Sequence, residues 1–418
     1  MNSKLNISNM PQLRFPEFSN EWESTKLGDI SDVSKLAGFE FTKHIEYSDT
    51  GSIIALRGLN IKSNGLDLSD VKYIDNSDFS KLSRSKLYID DMMFTYVGTI
   101  GETAIIKEND RFYLAPNVSR IRLKDDTNSV VFINQYFNNS GFRNIEIEKY
   151  IATSSQPALS MSNIRLFCLQ LPTKPEQQKI AAFLTTVDNK IEQLSKKQAL
   201  LGEYKKGLMQ QIFSQVIRFK ADDGSTFPDW EEKKLGDVVS TPVSDGPHLT
   251  PKFVKKGIPF LSVNNLVESK IDFSDARYIS IDDHLVFSKK CKPKKGDVLL
   301  GKAASVGKVA FVETDVEFNI WSPIAMIRPS NSNFSKYIYY CFQTRFILNQ
   351  ISKFTNSSSQ GNIGMGDISK IIIKLPSKLE QAKIAGFLSS IDNKIEQVGE
   401  QLRESKQFKK ALLQQMFV

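Results

Sequence analysis

Apolar residues recur in steps of four and three along residues 171–213, at Ile180, Leu184, Val187, Ile191, Leu194, Leu201, Leu208 and Ile212. The same spacing returns at Ile384, Leu388, Ile391, Ile395, Val398, Leu402, Leu412 and Met416. A narrow seam of this period predicts a helix that lies along another helix rather than one resting a broad face on a globular core. The two stretches read LPTKPEQQKIAAFLTTVDNKIEQLSKKQALLGEYKKGLMQQIF from Leu171 and LPSKLEQAKIAGFLSSIDNKIEQVGEQLRESKQFKKALLQQMF from Leu375, and they align without a gap, 204 residues apart. Each opens on a helix start signal, Thr173-x-x-Glu176 and Ser377-x-x-Glu380, in which the hydroxyl and the carboxylate can each satisfy an orphan amide. Pro175 suits a first helical turn. About 38 helical residues make a rod of roughly 57 Å, too long and too narrowly apolar to stand alone in water. The natural partner within one chain is the other copy, and the seams complement where they differ, Gln198 answering to Leu402 and Leu201 to Ser405. The alternative is two separate helices, each closing its own domain.

The rest of the chain repeats as well. Phe15-Pro16, Trp22 and KLGDI at 26–30 return as Phe227-Pro228, Trp230 and KLGDV at 234–238. Alternating apolar residues predict strands at 53–56 and 259–263, and buried strands run from Asp91 and Asp297 into Gly-containing turns. Ser155-Gln156 and Met161 match Ser359-Gln360 and Met365, just before short strands at 166–171 and 371–375 that lead into the helices. The chain is thus a module of about two hundred residues used twice. The copies diverge mostly in loops, at 37–43 against 245–252 and around Asn117 and Asn319, as expected of a scaffold that reads two different things.

Composition narrows the picture further. With 418 residues, 40% apolar and 24% charged, the chain is globular, and a net charge of +8 makes a polyanion a plausible partner. Cys168, Cys291 and Cys341 are scattered and odd in number, which argues against a disulfide framework and for a reducing compartment. The absence of a membrane-length apolar run or a signal-peptide core leads us to expect a cytoplasmic protein.

Catalytic motifs fail on context. GKAASVGK at 301–308 has five residues between its glycines and Val309 after the Lys, so it is not a phosphate loop. GNIGMGD at 361–367 precedes a strand instead of following one, against a dinucleotide loop. PDWEEK at 228–233 packs its acids into one turn, unlike a nuclease metal site. The three histidines, His44, His248 and His284, have no metal spacing.

Lysines cluster in KKCKPKKGD at 289–297, and in a groove such residues would neutralise phosphates, leaving base discrimination to loop side chains. DNA-contact candidates in the first module are Arg57, Asn60, Tyr96, Thr99, Arg120 and Arg122. In the second they are His248, Thr250, Lys252, Asn264, Asn265, Lys289, Lys290, Lys302 and Ser305. Ordinary turn chemistry is the competing role of each, and for His248 local hydrogen bonding stands level with a base contact.

Taken together, the two LP...EQ..IA.FL...DNKIE helices, the KLGD openings, YVGTIG at 96–101 and DGPHLTP at 245–251 resemble the specificity subunit of type I restriction-modification systems across nearly the whole chain. The resemblance implies α/β (α+β) target recognition domains, two in tandem, alternating with two long helices that form an intramolecular antiparallel coiled coil, a pseudo-twofold internal repeat. The implied boundaries are a loose segment 1–10, a first recognition domain 11–170, helical regions 171–215 and 375–418, and a second recognition domain 216–374. Each domain would read one half of a bipartite, asymmetric sequence in double-stranded DNA. The helices would set the unread gap and dock two modification subunits, with restriction subunits attached through them. S-adenosylmethionine would then sit on the modification partner, ATP and Mg on the restriction subunit, and no catalytic residue or metal on this chain. DGPHLTP departs from the repeat, since the first module has LAGFEFTK at 36–43. A self-contained nuclease or methyltransferase would need motifs that are missing, whereas a non-DNA scaffold joining two binding modules stays open.

Overall fold

Two helices dominate the secondary structure, Lys174–Phe213 with 40 residues and Lys378–Met416 with 39. The computed structural model describes residues 10–418 except 37, 39–42, 64, 152–156 and 356–360. Ser155-Gln156, Ser359-Gln360, most of the 37–43 loop and nearly all of the N-terminal segment expected to be loose therefore lie outside the described residues. The described chain divides into two compact units, residues 1–196 with 399–418, and residues 197–398.

In the first unit a four-stranded antiparallel sheet runs in the order Ser31–Lys35, Val118–Leu123, Met92–Thr95, Thr103–Ile105. A smaller sheet places Ile54–Leu56 between Lys72–Tyr73, which is antiparallel to it, and Phe112–Leu114, which is parallel. Met92–Thr95 is buried at every position, because both faces of its sheet are covered. Met92 and Phe94 point into a core shared with Trp22, Phe132, Phe137 and the long helices, while Met93 joins Leu56, Leu87 and Leu114 beneath the smaller sheet.

The second unit repeats this plan. Its sheets run Ser244–Asp245, Ile324–Ile327, Val298–Gly301, Val309–Phe311, and Arg277–Ile279, Ile258–Leu261, Asn319–Ile320. Val298 and Leu300 face the helical core, and Leu299 faces the other. A two-stranded ribbon in each unit, Glu23–Lys26 with Cys168–Leu171 and Glu231–Lys234 with Ile372–Leu375, ties the module's opening to the strand that feeds the long helix. PDWEEK thus belongs partly to a strand.

Each unit takes the start of one long helix and the end of the other. Ile180, Ala181 and Leu184 share the first unit's core with Leu412, Leu413, Met416 and Phe417. In the second, Ile384, Ala385 and Leu388 share a core with Met209 and Ile212. The helices are therefore antiparallel. The two compact units divide near the helix middles, because each terminal turn is buried in the core of the module it reaches. Along the seam Ile180, Leu184, Leu194, Ile384, Leu388, Ile391 and Val398 are buried, and Val187, Ile191 and Ile395 are half-buried.

Two lysines that fall on the seam have partners across it. Lys409 Nζ lies 2.5 Å from Asp188 and Lys205 Nζ 2.6 Å from Asp392. Each carboxylate also ties in the module's own helix, Asp188 accepting from Gln135 Nε2 at 2.6 Å and Asp392 from the Tyr340 hydroxyl at 2.7 Å. Burial, more than its bond to Asp392, holds the Tyr340 hydroxyl well above the usual phenol range.

The helix starts correct the capping reading. The Ser377 hydroxyl does accept from the Glu380 amide, at 3.3 Å. The buried carboxylates of Glu176 and Glu380, however, bind Arg14 at 2.7 and 2.8 Å and Arg218 at 3.2 and 2.9 Å, with Trp22 and Trp230 donating to them as well. They fasten the module opening to the helix. A buried carboxylate gains more from a bidentate guanidinium than from one amide.

Candidate nucleic-acid interface

In each module three loops line one cleft. The first is a 3-10 turn, Gly58–Asn60 in one copy and Val263–Asn265 in the other. The buried Asn60 carboxamide accepts from the Arg57 amide at 3.1 Å and donates to the Asp67 and Asp70 carbonyls at 2.9 and 2.7 Å. Asn265 repeats this, accepting from the Ser262 amide at 2.9 Å and donating to the Asp272 carbonyl at 3.0 Å. An amide that both donates and accepts can knit a tight turn to the loop beside it.

The second loop is the Gly-containing turn. Gly98 and Gly101 have φ of 78° and 93°, and a Cβ on Gly101 would stand 2.9 Å from the Arg143 guanidinium. The turn is fixed from inside, since the buried Thr95 hydroxyl accepts from the Glu102 amide at 2.9 Å and donates to the Thr99 carbonyl. In the second copy Gly301 donates to the Lys308 carbonyl at 2.7 Å and Gly307 to the Gly301 carbonyl at 2.9 Å, so GKAASVGK closes on itself as a turn. The third loop holds Pro116 and Asn117 in one module and Trp321, Ser322 and Pro323 in the other.

These loops wall a cleft in each module. That of the first, about 1030 Å³, is lined by Arg57, Lys62, Lys72, Tyr47, Thr99 and Asn117, with Glu102 the acidic member. That of the second is about 290 Å³ and carries Trp321, Phe253, Asn264 and Arg277 beside Asp272 and Asp275. Equivalent backbone thus presents a larger cleft in one copy, where Arg57 and Lys72 pair with Asp70 and Asp49 and Lys62 adds a further cation, and a smaller, aromatic one of mixed charge in the other.

The candidates divide sharply. Arg57 and Thr99 line the first cleft and Asn264 the second, Arg57 donating to the Asp70 carbonyl at 2.8 Å and carboxylate at 2.9 Å. Thr250, Lys252 and Lys289 are exposed, as is His248, whose Nε2 lies 3.5 Å from Asp245. Tyr96 and Ser305 are half-buried in the Gly-containing turns, and burial raises the Tyr96 hydroxyl above the usual phenol range. Lys290 is exposed along its stem but spends its ammonium on Asp245 at 2.6 Å.

Five candidates have scaffold roles instead. Asn60 and Asn265 are buried in their turns. Arg120 is buried, donating to Asp32 at 2.9 Å and the Arg84 carbonyl at 3.3 Å. Arg122 forms a bidentate pair with buried Asp91 at 2.6 and 2.7 Å, copied by Arg328 on Asp297 at 2.8 and 2.7 Å. Lys302 is buried against Asp245 at 3.2 Å. Sequence reasoning passed over Tyr47, Trp321 and Arg277, which spacing does not mark. The loop differences around Asn117 pointed to the third wall, and Asn117, with φ of 70°, stands in it. Among the described residues no His, Cys, Asp and Glu group could hold a metal ion, and no helix is long and apolar enough to cross a membrane.

Residues 19–201 and 228–404 each match the model of the type I restriction modification DNA specificity domain. The chain belongs to that family. A Methanocaldococcus jannaschii protein named as a candidate type I restriction enzyme specificity subunit, MjaX, is 24% identical over 93% of this chain and 91% of its own length. The MjaVIII specificity subunit of the same organism is 27% identical over 54% of this chain and 56% of its own. Among solved structures, the type I restriction-modification S subunit from M. genitalium superposes with a TM-score of 0.63 at 14% identity, covering 98% of this chain and 99% of that one. A chain from a structure addressing complex assembly and conformational transition of the type I R-M system gives 0.52 at 18% identity, over 94% and 96%. The two clefts are thus equivalent places in two specificity domains.

Proposed function

We propose that this chain is the DNA-reading subunit of a type I restriction-modification complex, each module binding one half of a bipartite, asymmetric target through its cleft. The observation that carries this is the pairing of equivalent clefts on repeated backbone with different linings, Arg57, Lys62 and Lys72 in one and Trp321, Phe253 and Arg277 in the other. Identical scaffolds give identical geometry toward a duplex, and different side chains select different bases. Lys62 suits a phosphate contact, which positions the module, and Lys72 would exchange Asp49 for one, while Thr99, Asn117 and Asn264 suit base edges. The two long helices set the unread gap between half-sites and dock two methyltransferase subunits, through which restriction subunits attach. The chain performs no chemistry itself; S-adenosylmethionine belongs to the methyltransferase, and ATP and Mg to the restriction subunit.

The test is co-expression with the adjacent modification subunit, followed by single-molecule sequencing of host DNA for methylated adenine. A bipartite motif that vanishes on deletion of this chain is the expected result. Unchanged methylation with an active modification subunit would sink the proposal and favour a scaffold joining two non-DNA modules.

A further inference from the structure

The loop 245–251, DGPHLTP, is absent from the repeat and is held by an arrangement a mere surface connection does not need. Asp245 is 5% exposed, and its carboxylate meets Lys290 Nζ at 2.6 Å and Lys302 Nζ, itself buried, at 3.2 Å. Burial works against the charged form, but the two ammonium groups prevail and hold this carboxyl below its usual range. Taking such charges out of water is costly, and what the cluster supplies is fixed geometry. Gly246 adds to it, since a Cβ there would stand 1.6 Å from the Ile320 carbonyl oxygen, and the Ser322 amide donates to the Pro247 carbonyl at 3.2 Å. Pro251 is buried at the far end. Between these anchors the tip projects, Leu249 78% exposed, Thr250 exposed, and His248 with 72% of its side chain exposed while its Nε2 lies 3.5 Å from Asp245. The base of the loop packs on the 320–322 backbone, and its far end leads into Phe253, so it adjoins the second cleft, which Trp321 and Phe253 line, without lining it itself; the exposed Lys252, Lys255 and Lys256 follow it.

We infer that the tip His248-Leu249-Thr250 is a preformed reading finger for one half-site, a role that rests on the function proposed above. His248 and Thr250 hydrogen-bond base edges, Leu249 packs against apolar base surface such as a thymine methyl, and Lys252 contacts phosphate. A finger whose backbone is already fixed loses little entropy on binding, so its contacts go to discrimination. In the first module Tyr96 stands where Lys302 does, so the clamp is not shared and the two half-sites are read by different means.

The experiment maps adenine methylation motifs in cells carrying the whole complex with wild-type chain, Leu249→Ala, or His248→Ala with Thr250→Ala; melting temperatures of the purified chains check folding. The expected result is loss of about ten-fold or more in discrimination at one to three base pairs of a single half-site, the other half-site and the gap staying unchanged. Thr250→Val, which keeps the shape and removes the hydroxyl, serves if a variant is unstable. A variant that melts normally yet methylates nothing supports the inference only if its complex still discriminates the first half-site on a panel of duplexes; otherwise it counts against it. Unaltered motifs in all variants, or relaxation of both half-sites together, would overturn the inference. A wild-type chain without any bipartite motif would instead overturn the proposed function, and the finger with it.

Discussion

A side chain that reads DNA must be free to meet it, and at the scale of single residues this separates scaffold from contact. Asn60→Ala or Asn265→Ala strands partly buried carbonyls and amides that the carboxamide now satisfies, so each should cost about 1–3 kcal/mol in thermal unfolding and leave the methylated motif unchanged. Arg122→Met and Arg328→Met leave Asp91 and Asp297, 1% and 2% exposed, without their guanidinium, and about 3–5 kcal/mol should be lost. If such a variant kept full stability yet altered the target bases, these arginines would be readers after all. Asp245 adds a pH prediction. Its folded carboxyl titrates below the unfolded one, so its stabilisation is present above the ordinary carboxylate pKa and is lost as pH falls through the folded value. The stability gap between wild type and Asp245→Asn should be level from about pH 6 to 8 and close only on the acid side of about pH 4. All these residue types were visible in the sequence; their burial was not, because Arg and Asn look alike on paper whether they face a duplex or a buried carboxylate.

At the scale of elements, the paired helices are joined by apolar seams and by two equivalent polar joints. Lys205→Met and Lys409→Met should each cost about 1–3 kcal/mol, less than a fully buried pair, because Asp392 and Asp188 keep 27% and 26% exposure. A double-mutant cycle of Lys205 with Asp392 should return a coupling above about 0.5 kcal/mol; additive losses would mean that the lysine acts through its stem alone. The seam was legible in the heptad spacing, and so was the misfit of Lys205 and Lys409 on it. Their partners were not, since the aspartates and the Gln135 and Tyr340 that fasten them come from separate stretches of chain. The same limit explains the start signals, where Glu176 and Glu380 answer to arginines 162 residues away.

At the scale of the whole molecule, the proposed gap depends on helix length. A heptad inserted at equivalent positions of both helices adds about 10 Å of rod, close to three base-pair steps, and the methylated motif should keep both half-sites with a longer gap. An unchanged gap would show that the helices do not set the spacing. The sequence by itself determined the duplication, the long seams, the central strands with their Gly-containing turns, and the family, because these depend on local periodicity and on residues close along the chain. The tertiary structure decided which polar residues are spent inside. It put Arg120, Arg122 and Lys302 on buried or neighbouring carboxylates, brought Tyr47, Trp321 and Arg277 to the clefts, and buried each helix end in a module core. The reason is physical: desolvation is set by neighbours in space, and a charge taken out of water must find its partner wherever the fold brings one.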